Sequence, residues 1–194
     1  MVEHLKFGNV TAIILAGGKN TRMGGLDKSM LPIRDVPMIR HIVTQLESHF
    51  GEILIGADDK GKYDFLGHRI IQDELKGLGP LMGIYSCLLS SGNDLNFITA
   101  CDIPDIRIDF ISSMLELSAG ADIVMPVNGI DDFEPLHAIY RKSVIPAVRN
   151  LLKENKLKIS GLFGMVGTKF IPFDGRGWYY NLNYKDDYDK YTNH

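Results

Sequence analysis

A buried strand that runs directly into a glycine-rich loop constrains this 194-residue chain more than any other feature. Val10–Ala16 reads VTAIILA, a β-branched and apolar run that is typical of a strand buried on both faces of a parallel sheet. The run ends at Gly17 and Gly18, and a loop containing glycine, lysine and arginine continues to about Asp35. Because parallel strands are joined by long crossovers, usually helices, we expect strands and helices to alternate.

The rest of the chain continues this alternation. A helix is predicted to begin at Pro37, since the apolar residues near it recur at helical spacing: Met38, Ile39, Ile42, Val43, Leu46 and Phe50. Further strands are predicted at Glu52–Gly56, Arg69–Gln72, Leu95–Ala100, Asp122–Val127 and Lys169–Phe173. Further helices are predicted at Leu81–Ser90, from about Asp109 to Leu117, at Val144–Lys153 and at Asp186–Tyr191. Asp109 is the predicted N-cap of its helix, and Gly120 lies beyond its end.

The pattern predicts a doubly wound α/β fold, a mainly parallel sheet with helices on both faces. The second half is less regular, because Glu134–Tyr140 reads as a strand with no obvious helix before it. We expect this one strand to be antiparallel. The chain shows no repeat, linker or low-complexity segment, so a single domain over residues 1–194 is the simplest interpretation.

Composition excludes several classes of protein. Hydrophobic residues make up 45% and charged residues 23%, so the chain is neither disordered nor collagen-like. No apolar run reaches the ~18 residues of a membrane helix, and the start MVEHLKFGNV lacks the apolar core of a secretory signal, which favours the cytoplasm. A net charge of −3 gives no global field for nucleic acid, so an anionic ligand needs a local cluster of positive charge.

Cysteine and histidine patterns argue against several kinds of site. Cys87 and Cys101 are too few and too far apart for a disulfide framework or a cysteine-based zinc site, and both are predicted to be small core residues. The six histidines form no H-E-x-x-H pair and no compact cluster with cysteine, so zinc is not expected. His137 lies in an apolar strand and is predicted to be a core or crevice residue. No G-x-S-x-G pattern of a serine hydrolase is present.

Aromatic residues are concentrated near the C-terminus. They are Trp178, Tyr179, Tyr180 and Tyr184. Stacking on a planar ligand is one interpretation, and core packing is the favoured one.

The loop after the first strand has the composition of a phosphate-binding site. Residues 15–28 read LAGGKNTRMGGLDK. Its four glycines leave backbone N–H groups free to point at an anion, and Lys19, Arg22 and Lys28 add positive charge. A flexible solvated loop is the alternative, but a long loop in a compact domain is more often functional.

The spacing within this loop excludes two familiar phosphate motifs. A P-loop requires G-x-x-x-x-G-K-[ST], whereas Leu26 and Asp27 separate the second glycine pair from Lys28. The dinucleotide fingerprint G-x-G-x-x-G is also absent, so support for NAD binding is weak.

Two carboxylates follow predicted strands. Asp102 comes directly after a buried apolar strand, and Pro104 fixes the turn behind it. Since the carboxyl ends of strands open onto the ligand crevice of a doubly wound sheet, Asp102 is a candidate to hold Mg²⁺ beside bound phosphates. Asp73 precedes the glycines of Gly77–Leu81 and is a candidate acceptor for a base or ribose. A turn or capping role is the alternative for both residues.

Four motifs in order resemble one known family. They are Leu15-Ala16-Gly17-Gly18 with Arg22-Met23-Gly24-Gly25 and Asp27-Lys28, then Gly79-Pro80-Leu81-x-Gly83, then Cys101-Asp102-x-Pro104, and then Asn181-Leu182-Asn183. Together they resemble the molybdenum cofactor guanylyltransferases, the bacterial enzymes that make molybdopterin guanine dinucleotide. The first motif alone also fits cytidylyltransferases and sugar-phosphate nucleotidyltransferases.

The resemblance implies a Rossmann-like nucleotidyltransferase fold and a GTP site. Leu15, Ala16, Gly17 and Gly18 would lie under the base and phosphates. Lys28 would contact the phosphates together with Arg22, Asp73 would contact the nucleoside, Asp102 would hold Mg²⁺, and Asn181 and Asn183 would face the pterin. The implied partners are GTP, the molybdenum cofactor, molybdopterin-delivering proteins and apo-molybdoenzymes, with no nucleic acid and no membrane.

This chain departs from the family at two places. The family often has a nucleotide-contacting asparagine at the end of the second strand, where this chain has Gly56, so that contact is missing or made by a neighbour such as Asp58. Tyr184-Lys185 replaces the family's Thr-Pro. The LAGG form favours GTP over CTP, since the cytidylyl enzymes more often show LAAG.

Other functions remain open at this point. A CTP-dependent or sugar-1-phosphate nucleotidyltransferase is the first alternative. A non-catalytic nucleotide-binding module and an oxidoreductase with an atypical loop are the others.

Overall fold

The structure, a computed structural model, describes residues 6–17, 27–129 and 131–193. In chain order its strands are β1 (Phe7–Leu15), β2 (Pro32–Ile33), β3 (Val36–Pro37), β4 (Phe50–Gly56), β5 (Arg69–Ile71), β6 (Leu95–Ala100), β7 (Ile123–Val127), β8 (His137–Arg141) and β9 (Thr168–Pro172). Its α-helices are α1 (Met38–Glu47), α2 (Pro80–Ser90), α3 (Ile108–Leu117), α4 (Ile145–Lys153) and α5 (Lys185–Thr192). Short 3-10 helices lie at Lys28–Met30, Gly61–Leu66, Lys142–Val144 and Ile159–Leu162.

Seven of these strands form one sheet, in the order β5-β4-β1-β6-β8-β7-β9. Adjacent strands in this sheet are parallel, except that β8 runs antiparallel to both β6 and β7. The predictions of a mainly parallel doubly wound sheet and of one antiparallel strand near Glu134–Tyr140 are both confirmed. The sequence order of the strands reverses between β1 and β6, so the ligand crevice of such a sheet is expected at the carboxyl ends of these two strands.

Helices cover both faces of the sheet because β1 is apolar on both sides. Ala12 and Ile14 join the core cluster under α1 and α3, whereas Ile13 and Leu15 join the cluster under α2 and α4. Alternate residues of a strand point to opposite faces, so a continuous apolar run is what this position requires. None of the helices in the described ranges is long and apolar enough to cross a membrane.

Three local predictions are wrong. Phe50 does not extend α1 but begins β4, where it pairs with Phe7, and the two ring centroids are 5.1 Å apart. The N-cap of α3 is Arg107, with extended backbone, while Asp109 lies in the first turn and accepts a hydrogen bond of 2.9 Å from the Arg107 guanidinium. The predicted loop to Asp35 contains a 3-10 helix at Lys28–Met30 and the β2–β3 hairpin.

The C-terminal helix α5 is attached differently from the other helices. It has no buried residue. The Tyr188 hydroxyl donates to the carbonyl of Pro32 at 2.6 Å, and the Tyr191 hydroxyl donates to Asp105 Oδ1 at 2.9 Å. These contacts place α5 against the β2–β3 hairpin and the loop that follows β6.

The end of β4 is packed too tightly for a side chain. A Cβ added at Gly56 would lie 2.7 Å from Leu15 Cδ2 and 2.9 Å from Cys87 Sγ. The asparagine that the resemblance leads one to expect here would therefore have to displace the side chains of Leu15 and Cys87. The glycine is explained by its neighbours on β1 and α2.

Gly56→Ala is expected to lower the free energy of unfolding by about 1–3 kcal/mol, because an overpacked core must shift side chains or backbone. Urea denaturation measures the change. Gly164→Ala is the control, since no heavy atom lies within 4 Å of a Cβ built there. Equal midpoints for the two variants would contradict the packing argument.

Candidate active site

The carboxyl ends of β1 and β6 are joined by a backbone hydrogen bond. The Cys101 amide donates to the Leu15 carbonyl at 3.0 Å, immediately beyond the paired residues Leu15 and Ala100. On the other side of β1, the Ala16 amide donates to the Gly56 carbonyl at 2.8 Å. Ala16 and Asp102 therefore leave the sheet at the same edge.

Four of the predicted site residues meet at this edge. Lys28 Nζ lies 3.4 Å from Asp102 Oδ2 and donates a 3.0 Å hydrogen bond to Asn183 Oδ1. Asn183 Nδ2 donates to Asn181 Oδ1 at 2.8 Å. The side chains of Lys28 and Asp102 are 13% and 20% exposed, so a ligand can still reach them.

Backbone contacts fix the segment that carries the two asparagines. The Leu182 amide donates to the Asp102 carbonyl at 2.9 Å, and the Leu182 side chain is only 1% exposed. With Leu182 in the core, Asn181 and Asn183 extend beside Asp102. The N-x-N spacing is explained by this alternation of one buried residue between two polar ones.

Asp73 lies on the β5 side of Leu15. A Cβ at Gly83 would be 3.7 Å from Asp73 Oδ1 and 3.3 Å from Leu15 Cδ2, so Asp73 is close to the end of β1. Burial, and next the charge of Asp58, raise the pKa of Asp73 to about 6, against an opposing hydrogen bond from Ser86. Asp73 is thus a half-buried carboxyl group whose charged form gains from a hydrogen-bond donor.

Of the other residues predicted to contact the nucleotide, the structure describes only some. Leu15 ends β1 with a buried side chain, Ala16 is half-buried and Gly17 is exposed. Gly18 and Arg22, like the loop residues Lys19, Met23, Gly24 and Gly25, lie outside the described residues. Their predicted roles stay predictions.

A side-chain hydrogen bond between Tyr179 and Glu134 is not predicted by the sequence. The Tyr179 hydroxyl donates to Glu134 Oε2 at 2.8 Å and ties the segment before Asn181 to the strand region before β8. Burial is the largest influence on Glu134 and raises its pKa, with the charges of Asp132 and Asp102 adding to the effect. Neither residue type nor spacing signals this pair, because its partners are 45 residues apart.

His137 and the two cysteines are not placed for acid–base or nucleophilic chemistry. His137 is 0% exposed and packs against Phe97 and Tyr179, and burial lowers its pKa to about 3, which confirms the prediction of a core histidine. Burial raises the thiol pKa of Cys87 and Cys101 to about 12. Cys87 is a core residue as predicted, whereas Cys101 is half-buried beside the site.

The C-terminal aromatic residues lie at the edge of the core or outside it, and Trp178 and Tyr179 are half-buried. Trp178 and Tyr179 pack edge to face with Phe173. Tyr180 and Tyr184 are 39% and 54% exposed, so the prediction is wrong for them. Tyr180 packs against the Tyr191 ring of α5, and Tyr184 is the N-cap of that helix.

Comparison with known proteins gives the family. A family model described as a MobA-like NTP transferase domain matches residues 12–162. The chain belongs to this family. A "Probable molybdenum cofactor guanylyltransferase" of Carboxydothermus hydrogenoformans is 35% identical over 190 residues, which cover 94% of each chain.

Other relatives agree with this assignment. A molybdenum cofactor guanylyltransferase of Vibrio parahaemolyticus is 30% identical over 175 residues, covering 88% of this chain and 89% of that one. The crystal structure of molybdopterin-guanine dinucleotide biosynthesis protein A from Archaeoglobus fulgidus has the same fold, with a TM-score of 0.80 at 21% identity, covering 94% and 97% of the two chains. The family indicated by the four motifs is thus confirmed.

In this MobA-like transferase, Asp73→Asn is expected to remove a pH dependence of stability. Folding raises the pKa of Asp73 from 3.8 to about 6, so its stabilising contribution is present below the unfolded pKa and is lost as the pH rises through about 6. For a half-exposed group the loss is about 1 kcal/mol after allowance for solvent screening.

Urea denaturation at about pH 4 and about pH 8 measures this difference in wild type and in Asp73→Asn. Asp64→Asn, an exposed carboxylate of the Gly61–Leu66 helix, is the control. Parallel pH profiles for wild type and Asp73→Asn would show that the argument is wrong.

Proposed function

We propose that this chain, as a single nucleotidyltransferase domain, transfers GMP from GTP to the terminal phosphate of molybdopterin. Pyrophosphate leaves, and molybdopterin guanine dinucleotide is formed. The observation that carries the proposal is the meeting of Lys28, Asp102, Asn181 and Asn183 at the carboxyl ends of β1 and β6. The family membership and the names of the relatives support the same reaction.

The reaction needs alignment of two phosphates more than it needs a base. The attacking phosphate of molybdopterin is already ionised near neutral pH, so no side chain has to remove its proton. It attacks the α-phosphorus of GTP in line, the bond to pyrophosphate breaks, and the electron pair leaves with pyrophosphate. The neutral core residue His137 and the protonated thiol of Cys101 fit a site in which proton transfer is not required.

Lys28 is the described residue best placed to neutralise charge. Its ammonium group lies between a carboxylate and an amide oxygen, 3.4 Å and 3.0 Å away. An incoming triphosphate carries more negative charge than Asp102, so it draws the ammonium group toward the phosphates at a small electrostatic cost. We assign Arg22 and the backbone N–H groups of residues 15–18 the same task on the glycine-rich loop.

The donor set at Asp102 fits Mg²⁺. Within residues 6–17, 27–129 and 131–193 no group of three or more His, Cys, Asp and Glu side chains is arranged to hold a metal ion. One carboxylate oxygen beside bound phosphates is nevertheless the usual protein contribution to a Mg²⁺–nucleotide complex, and Asp102 supplies it. When bound, Mg²⁺ offsets the negative charge of the phosphates.

Base recognition is assigned to the β5 side of the site. Asp73, when ionised, accepts hydrogen bonds from the N–H groups of a base or the hydroxyl groups of a ribose. Asp58 is exposed just beyond β4, and its charge influences Asp73, so it is the candidate to replace the contact that Gly56 lacks. The Asn181 and Asn183 amides then face the pterin side.

Calorimetric titration with GTP, CTP, UTP and NAD, each with Mg²⁺, tests the substrate. We expect selective GTP binding, followed by pyrophosphate release once molybdopterin is added. A preference for CTP or UTP would leave the proposed mechanism in place but change the nucleotide substrate from GTP to the preferred one. Binding without pyrophosphate release would indicate a nucleotide-binding module, and NAD binding alone would rule out the transferase.

Asp102→Ala is expected to abolish turnover while the fold is retained, and Lys28→Ala is expected to raise the activation free energy by about 2–4 kcal/mol. Steady-state pyrophosphate release measures both rates. Asp109→Ala, with its side chain 68% exposed on the same connection, and Lys153→Ala on α4 are the matched controls. Normal turnover by Asp102→Ala would remove this residue from the mechanism.

A further inference from the structure

One buried hydroxyl lies between the two ends of the glycine-rich loop. Tyr63, on the 3-10 helix Gly61–Leu66, is 1% exposed. Its hydroxyl oxygen is 3.3 Å from the carbonyl oxygen of Ala16, where β1 ends, and 2.9 Å from Ser29 Oγ, next to Lys28. Ala16 and Ser29 lie on either side of the loop, more than ten positions apart in the chain. Both contact the hydroxyl group of Tyr63.

Both chain neighbours of Lys28, Asp27 and Ser29, are fixed by hydrogen bonds or ion pairs. Asp27 Oδ1 accepts hydrogen bonds from the Ser29 amide at 3.1 Å and from Ser29 Oγ at 2.7 Å, which caps the helix Lys28–Met30. The other carboxylate oxygen of Asp27 forms an ion pair with Lys62. Consecutive residues, Lys62 and Tyr63, therefore hold the two chain neighbours of Lys28.

The proton count makes Tyr63 the donor in this network. Burial raises the pKa of Tyr63 to about 12, so its hydroxyl group stays protonated through the neutral range. Ser29 has one hydroxyl proton, and the charged Asp27 oxygen at 2.7 Å is the stronger acceptor for it. The single proton of Tyr63 is then shared between Ser29 Oγ and the Ala16 carbonyl.

We propose that Tyr63 is a positioning residue that sets the location of Lys28 relative to the end of β1. The proposal rests on the function proposed above, in which Lys28 neutralises phosphate charge. With the neighbours of Lys28 fixed to Ala16 through Tyr63, the ammonium group approaches Asp102 and Asn183 from a defined backbone position. A displacement of this group by about 1 Å is enough to slow a transfer that depends on alignment.

Tyr63→Phe tests the proposal, because it removes only the hydroxyl group and leaves the buried ring. We expect kcat for pyrophosphate release to fall about 10-fold, with a change of less than about 3-fold in the KM for GTP. Ser29→Ala removes the other half of the contact and is expected to act in the same direction. Tyr140→Phe is the matched control, since Tyr140 is 0% exposed and its hydroxyl donates to the Pro135 carbonyl at 2.8 Å.

A double-mutant cycle with Lys28→Ala separates positioning from a general loss of structure. If Tyr63 acts through Lys28, Tyr63→Phe has no further effect on kcat when Lys28 is already alanine. A merely structural hydroxyl lowers kcat by the same factor on both backgrounds. An undiminished fall in the Lys28→Ala background, or a kcat for Tyr63→Phe equal to that of Tyr140→Phe, would overturn the proposal.

Amide hydrogen exchange gives a readout that does not depend on catalysis. Protection of the Met30 and Leu31 amides, which donate to the carbonyls of Asp27 and Lys28, is expected to fall in Tyr63→Phe and to be unchanged in Tyr140→Phe. Equal protection of these amides in the two variants would show that the Tyr63 hydroxyl group does not stabilise the segment around Lys28. An inactive wild-type protein would instead refute the proposed function, while the exchange comparison would still decide the role of Tyr63.

Discussion

The parallel pairing of β1 with both of its neighbours is the constraint on which the rest of the molecule depends. Leu15 is in register with Gly56 of β4 and with Ala100 of β6, so three strands end at one level of the sheet. The residues that follow them leave the sheet together. The meeting of Ala16, Asp102 and the chain around them at one edge is a direct result of this register.

The ion pair between Lys28 and Asp102 at this edge is a long one. Lys28 Nζ and Asp102 Oδ2 are 3.4 Å apart, both side chains are mostly buried, and Asn183 Oδ1 accepts a second hydrogen bond from the ammonium group. A tight, fully desolvated ion pair would compete with a substrate for the lysine, whereas a long contact can be exchanged. The side chain of Lys28 is 13% exposed, so the proposed anionic ligand can reach its ammonium group.

The fold was largely predictable from the sequence because its signals are local. Apolar runs mark the buried strands, helical spacing marks α1, and Asp102, two residues beyond the end of β6, lies at the edge where the crevice of such a sheet is expected. The sequence pattern places Phe50 in the wrong element because its spacing of four residues from Leu46 fits a continuing helix as well as a new strand. Local pattern alone does not distinguish these two outcomes.

The contacts of the site were less predictable because they join distant segments. The Lys28–Asn183 hydrogen bond spans 155 residues, and the Ser29–Tyr63 contact spans 34. Motif order suggested that Lys28, Asp102 and Asn183 belong to one site, but only the folded chain gives their separations. The lack of space at Gly56 likewise depends on side chains of β1 and α2 that no spacing rule reveals.

The attachment of α5 has a consequence for the local stability of the chain around the site. The helix has no buried residue, and its two tyrosine hydroxyls reach the chain at Pro32 and Asp105. The rings of Tyr188 and Tyr191 are partly buried against the core, but a helix with no fully buried residue is expected to unfold locally at a lower free energy than a central strand does. Local unfolding of α5 would therefore leave the sheet, and the strand ends that carry Asp102, in place.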